Sequence, residues 1–569
     1  MTHKYLLFSL LICSLLACEE FLENPPLDAI GNDSYWNTAE DLEKYVIKYY
    51  PQFPGHGNSM ATEDANSDNL TLGSPNSVLN GERPITTGNW ISEWSNIRSI
   101  NIFFDNYHQV SDDFSSYKHF LGEAYFFKAW FYFDLLKQYG DLPWYEHSLQ
   151  PNTEELLKPR APRNTVADSI LLQIDKAISY LDTRSVVGNT RLNKETALAF
   201  KTRVALFEGS WQKYHANSPF GTPGAQPEKY FQAAVDAAEN LMQGDYTKGI
   251  YNNGLPEEDY YTLFGLDNMD AVDEVLFYRA GNSGEGLGSN VQFYTTVRTG
   301  QKSVTWSLIS SYLGRDGQPI NYLNLAEGQK GNDFLTRISE AADPRLHGTI
   351  WIPGDVMVAR TNEQFDKPFI DRGAEELNAT GFQVKKFANP ESPGAGALCC
   401  GISETGYILF RYGEVLLNYA EAKYELENVV AYDALNLLRE RVGMPAFEVM
   451  DQSEDPNSEW QDYGYEISDE LYEIRRERRI ELALEGFRGD DYRRWAAHPL
   501  FKDKRPLGYP YDPQEFPDYQ PPLNESGLID FFVNLMPNGY QFRPDQDYLN
   551  DIPQDELSLN PNLEQNPGW

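Results

Sequence analysis

The segment from Glu466 to Trp495, EISDELYEIRRERRIELALEGFRGDDYRRW, constrains the fold more than any other stretch of the chain. Ile467, Leu471 and Ile474 recur at i, i+4 and i+7, the spacing of one helical face. Continued at about 100° per residue, that face brings up Arg478, Glu481 and Glu485 in place of further apolar side chains. Ile480, Ala483 and Leu484 point elsewhere, so the helix is apolar on more than one side. A solvated charged helix would leave those positions unexplained. The helix is therefore expected to be buried, and a buried charge without a partner is costly. Spacing predicts a pair between Arg478 and Glu481, and a cation for Glu485 from Arg488 or from an arginine elsewhere.

A chain of 569 residues has room for a large core, and length alone would allow about three or four domains. With 41% hydrophobic residues it reads as globular. The aromatic share is high, with 36 Tyr and 11 Trp, and such rings go to a core or to a binding surface. A net charge of −38 argues against a nucleic-acid partner, which needs clustered Lys and Arg, and against basic docking on anionic lipid.

The N-terminus carries Lys4 and an apolar run from Tyr5 to Leu16, too short for a membrane-spanning helix but suited to a signal peptide. The run ends Leu15-Leu16-Ala17-Cys18, which resembles a bacterial lipoprotein signal with Cys18 as the acylated first mature residue. Glu19 and Glu20 directly behind it resemble a surface-export signal of Gram-negative lipoproteins. Residues 1–17 are thus the expected signal peptide, and 18–569 the mature chain. Cys13 leaves with the signal and Cys18 is modified, so Cys399 and Cys400 remain in a Gly-rich loop. Being adjacent, they could form only a strained bridge, and no disulfide framework is expected.

Helical patterning begins at Thr38, a cap with Glu40 and Asp41 behind it. It returns at 90–107 and at 122–139, where GEAYFFKAWFYFDLLKQY is apolar on nearly all sides yet holds Lys128 and Asp134. Further helices are expected over 166–181, 194–214, 230–243, 411–428 and 431–441. Their alanines allow close approach in stacked pairs of tetratricopeptide type. The helical scaffold is placed at 34–246 and 406–495. An irregular insertion fills 247–405, and a Pro-, Asp- and Asn-rich tail runs over 496–569, as ordered coil or disordered.

Motif chemistry is sparse. There is no GxSxG, HExxH, CxxC, P-loop or GxGxxG opening a helix. None of the eight histidines stands four residues from another, so no helical metal pair exists. Asp64-x-Asn66-x-Asp68 imitates the start of a calcium loop, but Asn69 occupies the place of the turn glycine, and no metal or cofactor is expected. A glycosidase would need two positioned carboxylates, which 85 Asp and Glu do not by themselves argue for or against.

Several stretches together resemble the SusD/RagB family of outer-membrane glycan-binding lipoproteins. They are LLAC with FLENPP, GEAYFFKAWFYFDLLKQYGDLP, DPRL at 343–346 and RYGEVLLNYAEAKYEL at 411–426. The series continues with RRERRIELALEGFRGDDYRRW and the terminus YLNDIPQDELSLNPNLEQNPGW. Asp551 departs from the Pro-Ile-Pro run usual in that terminus. The resemblance covers nearly the whole chain and implies one mostly α, SusD-like domain: a tetratricopeptide-like scaffold with a large, irregular, loop-rich insertion. It implies no catalysis. It further implies a surface lipoprotein that passes oligosaccharide to a SusC-like TonB-dependent transporter in the outer membrane. Two other readings of the residues are a tetratricopeptide-like lipoprotein that binds a peptide or protein, and a secreted glycan hydrolase.

A sugar site wants exposed Trp or Tyr beside polar groups on loops held by a rigid scaffold. Two stretches have that make-up. The first, 64–94, holds Asp68, Asn69, Arg83, Trp90 and Trp94, although Trp94 also opens a helical pattern. The second, 290–306, holds Tyr294, Arg298 and Trp306. The resemblance points to the same two parts of the chain.

Replacing the lipidation residue tests the tether: Cys18→Ala abolishes lipid labelling and leaves the protein soluble in the periplasm. Intact labelling and normal surface display of that variant would remove the anchor from the account.

Overall fold

The computed structural model describes residues 35–569 except 56–59, 61, 86–88, 152, 397–400 and 458–460. Cys18 and its acidic neighbours, and the pair Cys399–Cys400, lie outside the described residues.

The fold is mostly helical. Ala39–Ile47 opens with a capping box in which Thr38 and Asp41 satisfy each other's backbone N–H groups. Phe114–Tyr139 is the longest described helix, begins well before its aromatic run, and buries residues on every side from Leu121 onward. It stops at Gly140, whose φ of 73° is a conformation that favours glycine. A Cβ there would also lie 2.8 Å from Leu549 of the C-terminal tail. Phe114–Tyr139 packs on Arg163–Tyr180, and Lys194–Tyr214 packs on Pro227–Gln243. Tyr412–Glu427 lies against both of the latter. Small side chains at the contact, Ala197, Ala199, Ala234 and Ala238, are fully buried, as close helix approach requires.

The region 247–405 is more ordered than its broken sequence pattern suggests. It contains the amphipathic helix Gly331–Ala341 and short helices at Asp259–Gly265 and Pro344–Thr349. Strand Val275–Arg279 pairs antiparallel with Tyr407–Arg411, and Leu70–Thr71 with Ser303–Val304. Trp306, Trp351, Phe334 and Ile338 form a hydrophobic cluster here, separate from that of the long helices. The tail is largely coil, but Tyr509, Phe532, Tyr540, Phe542 and Tyr548 are all buried, so it is an integral wall.

Helix Asp469–Glu481 is shared by both clusters. Leu471, Tyr472 and Ile474 belong to the first, and Ile480 with the following Ala483 and Leu484 to the second. The helix is buried as its pattern predicts, but its charges pair across the fold and not along the helix. Arg478 donates to Asp491 at 2.9 Å and to Asn418 at 2.8 Å. Glu481 accepts from Arg345 at 2.9 Å, Arg411 at 2.8 Å and Arg441 at 2.6 Å. Glu485 is held by Lys386 and Arg411, both at 2.7 Å, while Arg488 turns to Asp68. The expected Arg478–Glu481 pair is replaced by partners on other segments, while Glu485 takes its cation from an arginine elsewhere in the chain, Arg411, which grips it through both Nε and Nη2.

Burial raises the Glu481 carboxyl, but Arg441, Arg411 and Arg345 outweigh it and hold the group far below the usual carboxylate range. Its stabilising contribution is therefore fully present above the unfolded-state pKa of about 4.3 and is lost as pH falls below that value. Glu481→Gln should cost about 3–5 kcal/mol at neutral pH, since it leaves buried guanidinium groups without their anion. The deficit relative to wild type should shrink in urea titrations at about pH 3. Equal unfolding midpoints at neutral pH would show that the cluster does not hold the fold.

Candidate binding cleft

Helix Asn89–Asn106 presents Trp90, Trp94, Ile97 and Asn101 at spacings that keep them on one face. That face forms one wall of a cleft of about 410 Å³. The segment after the aromatic helix supplies a second wall with Pro143, Tyr145 and His147, and the tail supplies a third with Glu556, Asn560 and Leu563.

The second wall is ordered by its own bonds. Trp144 stacks on Tyr132 with ring centroids 3.9 Å apart, and the Tyr145 N–H donates to Tyr132 Oη at 2.9 Å. Asp105 accepts from Ser148 N at 2.8 Å and Ser148 Oγ at 2.6 Å, and lies 2.7 Å from His147 Nδ1. Burial raises Asp105, but the bonds from Ser148 and His147 prevail and hold it below its ordinary value, so it stays an anion under the loop. Arg98, exposed at the rim, donates to Leu149 O at 3.4 Å.

Trp94 is half-buried, with edge-to-face neighbours Trp90 at 5.4 Å and Tyr145 at 5.7 Å. Its Nε1 is buried and, among the described residues, has no hydrogen-bond partner. Asn101 gives its Nδ2 to Tyr145 O and His147 O at 3.1 and 3.2 Å, while its Oδ1 has no partner among the described residues. The residues that line the cleft thus combine aromatic surface with one buried donor and one buried acceptor that lack partners among the described residues. The cleft suits a ligand with a flat apolar face fringed by hydroxyls.

The residues singled out in the sequence divide. Trp90, 5% exposed, forms cleft wall with its ring 4.8 Å from Tyr139, and Trp94 stands beside it. Asp68 and Asn69 are buried: Asp68 accepts from Arg479 and Arg488, and Asn69 takes Arg479 Nε at 2.8 Å and donates to Asp64 at 2.9 Å. Asp64 itself accepts the backbone N–H groups of Leu484 and Gly486, so the calcium-like spacing serves to pin two segments together. Trp306, 1% exposed, stacks on Phe334 at 5.8 Å and offers no ring face to solvent. Its polar sequence neighbours, among them Lys302, Ser303 and Thr305, are buried and hydrogen-bonded or charge-paired to rings, a fate that local polarity does not announce. Arg83 is committed to the carbonyls of Asp547 and Leu549 and to Asn550. Tyr294 and Arg298 are half-buried, Arg298 in an ion pair with Glu376, and neither lines the cleft. The antiparallel pairing of Leu70–Thr71 with Ser303–Val304 does bring the two stretches together, but as framework.

Sequence reasoning passed over Asn101, Tyr145, His147 and Glu556. Trp144-Tyr145 beside Glu146 and His147 was a legible sign of an aromatic, polar loop. Nothing in the sequence marks Asn101 as half-satisfied.

Comparison with known proteins places these walls in context. The family model described as "SusD family" matches residues 274–569, and one described as "Starch-binding associating with outer membrane" matches residues 20–206. SusD-like protein P2 of Formosa agariphila is 23% identical over 99% of both chains. A solved SusD-like carbohydrate-binding protein of Bacteroides fragilis superposes with a TM-score of 0.71 at 21% identity, covering 93% of this chain and all of that one. A laminarin-binding SusD-like protein superposes at 0.59 with 17% identity, covering 94% of this chain and all of its own.

Because Trp306 is packed on all sides, Trp306→Ala should lower stability by about 3–5 kcal/mol. Ligand affinity of the fraction that remains folded should be unchanged. Wild-type stability with selective loss of binding would return Trp306 to the site.

Proposed function

The chain belongs to the SusD family, and on that premise we propose that it binds oligosaccharide or polysaccharide in the Trp94 cleft without cleaving it. The observation that carries this reading is a pair of buried polar atoms without hydrogen-bond partners among the described residues, Trp94 Nε1 and Asn101 Oδ1, beside edge-to-face aromatic rings. A sugar ring has C–H faces that lie on aromatic surface and hydroxyls that both donate and accept, so it answers all three features at once. An unmet buried polar group is costly, which favours a ligand that pairs with it. The starch-binding family model spans the helix and loop walls, and the SusD model spans the tail wall. The carbohydrate-binding and laminarin-binding structural neighbours give the same direction.

As part of the same proposal the protein is a cell-surface lipoprotein, tethered to the outer membrane through Cys18. It hands its glycan to a SusC-like TonB-dependent transporter. Tyr294 and Arg298, half-buried outside the cleft, are proposed as additional contacts for a longer ligand.

Affinity electrophoresis through gels containing starch, laminarin, xylan or polygalacturonate tests the reading. Wild type should be retarded by at least one of them. Trp94→Ala should abolish that retardation, and Trp94→Phe, which keeps a ring but lacks the N–H, should weaken it by about tenfold, the scale of one lost hydrogen bond. Undiminished retardation of both variants would move the site elsewhere, and release of reducing ends by pure wild-type protein would make it an enzyme.

A further inference from the structure

A second cavity, of about 360 Å³, lies on the other side of the C-terminal tail from the Trp94 cleft. Three segments each contribute neighbouring residues to both. At the end of the aromatic helix, Gly140 and Asp141 line the second cavity and Pro143 the cleft. In the following loop, Pro159 and Arg160 line the second cavity and Leu156 the cleft. In the tail, Asn562 and Glu564 face the second cavity while Asn560 and Leu563 face the cleft. The two cavities are therefore divided by the same three segments of chain.

That partition is firmly built. Asn566 donates to Tyr139 O at 3.0 Å and to Asn550 O at 2.6 Å. Gln565 exchanges bonds with both backbone groups of Ile552, and Asn562 donates to Leu157 O at 2.7 Å. The tail amides are thus engaged in holding the wall.

Two residues lining the second cavity nevertheless keep a buried polar atom without a partner among the described residues. Arg163, 3% exposed, donates Nε to Glu208 at 2.7 Å and Nη1 to Leu136 O at 3.2 Å, and its guanidinium lies 4.0 Å over the Trp211 ring. Its Nη2 is buried with no partner among the described residues, and the same holds for Thr222 Oγ1. Both residues line the cavity, with Phe220 as aromatic wall. The arrangement repeats that of the cleft: one buried donor, one buried hydroxyl or amide oxygen, and aromatic surface. Glu208 pairs with Arg163, and Asp141 and Glu564 stand close to Arg160, the other cation of the lining, so the cavity is suited to a neutral hydroxylated ligand in preference to an anion.

We propose that this cavity is a second sugar subsite, which takes a further ring of the same glycan chain where it crosses the tail. This inference rests on the reading of the Trp94 cleft as a glycan site. A chain long enough to cross the partition binds through both cavities, and a short one binds through the cleft alone.

Thr222→Val removes the hydroxyl at nearly constant volume and breaks no bond present in the structure. Thr222→Ser retains the hydroxyl and serves as rescue. Calorimetric titration would use disaccharide and hexasaccharide fractions of the polysaccharide that retards wild type among starch, laminarin, xylan and polygalacturonate. The expected result is unchanged disaccharide affinity for Thr222→Val, at least a tenfold loss for the hexasaccharide, and recovery in Thr222→Ser. Unchanged hexasaccharide affinity in Thr222→Val, with binding still abolished by Trp94→Ala, would overturn the second subsite and leave the cleft intact. So would a hexasaccharide-bound crystal structure with only water at Arg163 Nη2. Failure of wild type to bind any of the four polysaccharides would overturn the glycan reading and this subsite with it.

Discussion

Glu481 is the point on which the architecture turns. Its carboxylate lies where both hydrophobic clusters meet and accepts from guanidinium groups on three distant segments: Arg345 in the insertion, Arg411 at the end of a strand, and Arg441 at the end of a helix. Around it, Glu274 takes Arg411, Glu477 takes Arg345 and Arg439, and Glu421 takes Arg494. Apolar side chains of similar size would stabilise such a core at least as well. What a guanidinium fork adds is direction, because it reaches its acceptors in few relative placements of two segments. The ionic seam thus sets the alignment of the helical half against the insertion, which hydrophobic contact alone leaves loosely specified.

The same seam explains why part of the polar loop sequence became framework. Asp68 is held by Arg479 and Arg488 from the arginine-rich region, and Asp64 caps the backbone at Leu484 and Gly486. With both acids fixed, strand Leu70–Thr71 is positioned to pair with Ser303–Val304, and Trp306 is drawn under the insertion. The cleft lies away from this seam. Its first wall is helix Asn89–Asn106 and its third wall is the tail, so the proposed binding surface is carried by a long scaffold helix, where loop functions are best supported.

Periodicity made the scaffold legible. Lys194–Tyr214 was readable to the residue, and most other long helices to within a turn, because their apolar faces are continuous and their ends carry signals such as Gly140; the aromatic helix was read to its end but begins eight residues before its apolar run. Gly331–Ala341 was missed although Phe334, Leu335 and Ile338 mark its buried face, since glycines and polar runs on both sides broke the window. The burial of the arginine helix followed from its pattern, but the partners did not. Arg345 lies 136 positions from Glu481, and no local rule selects one distant arginine over another. Residue type singled out Trp90 and Trp94, which line the cleft, and by the same criterion Trp306, which is packed inside the insertion. Tryptophan among polar neighbours describes both a platform and a buried ring whose neighbours are satisfied internally.

What separates the proposed binding atoms from structural ones in this chain is therefore the state of their hydrogen bonds, which residue type does not encode. Asn560 and Asn101 both line the cleft, and both have an Nδ2 that donates to two backbone carbonyls. Asn560 Oδ1 then accepts from Asn562 N at 3.0 Å and completes a turn of the tail, while Asn101 Oδ1 is left open. The difference arises because Asn560 stands at a chain bend, where a backbone N–H two residues on falls within reach. Asn101 stands inside a helix, where the neighbouring N–H groups are already bonded along the axis. A helix that places an amide beside a cleft thus leaves an acceptor that its own backbone does not satisfy. Trp94 stands two turns earlier on the same face. The scaffold's regularity, legible in sequence, is the physical cause of the open atoms that sequence alone did not reveal.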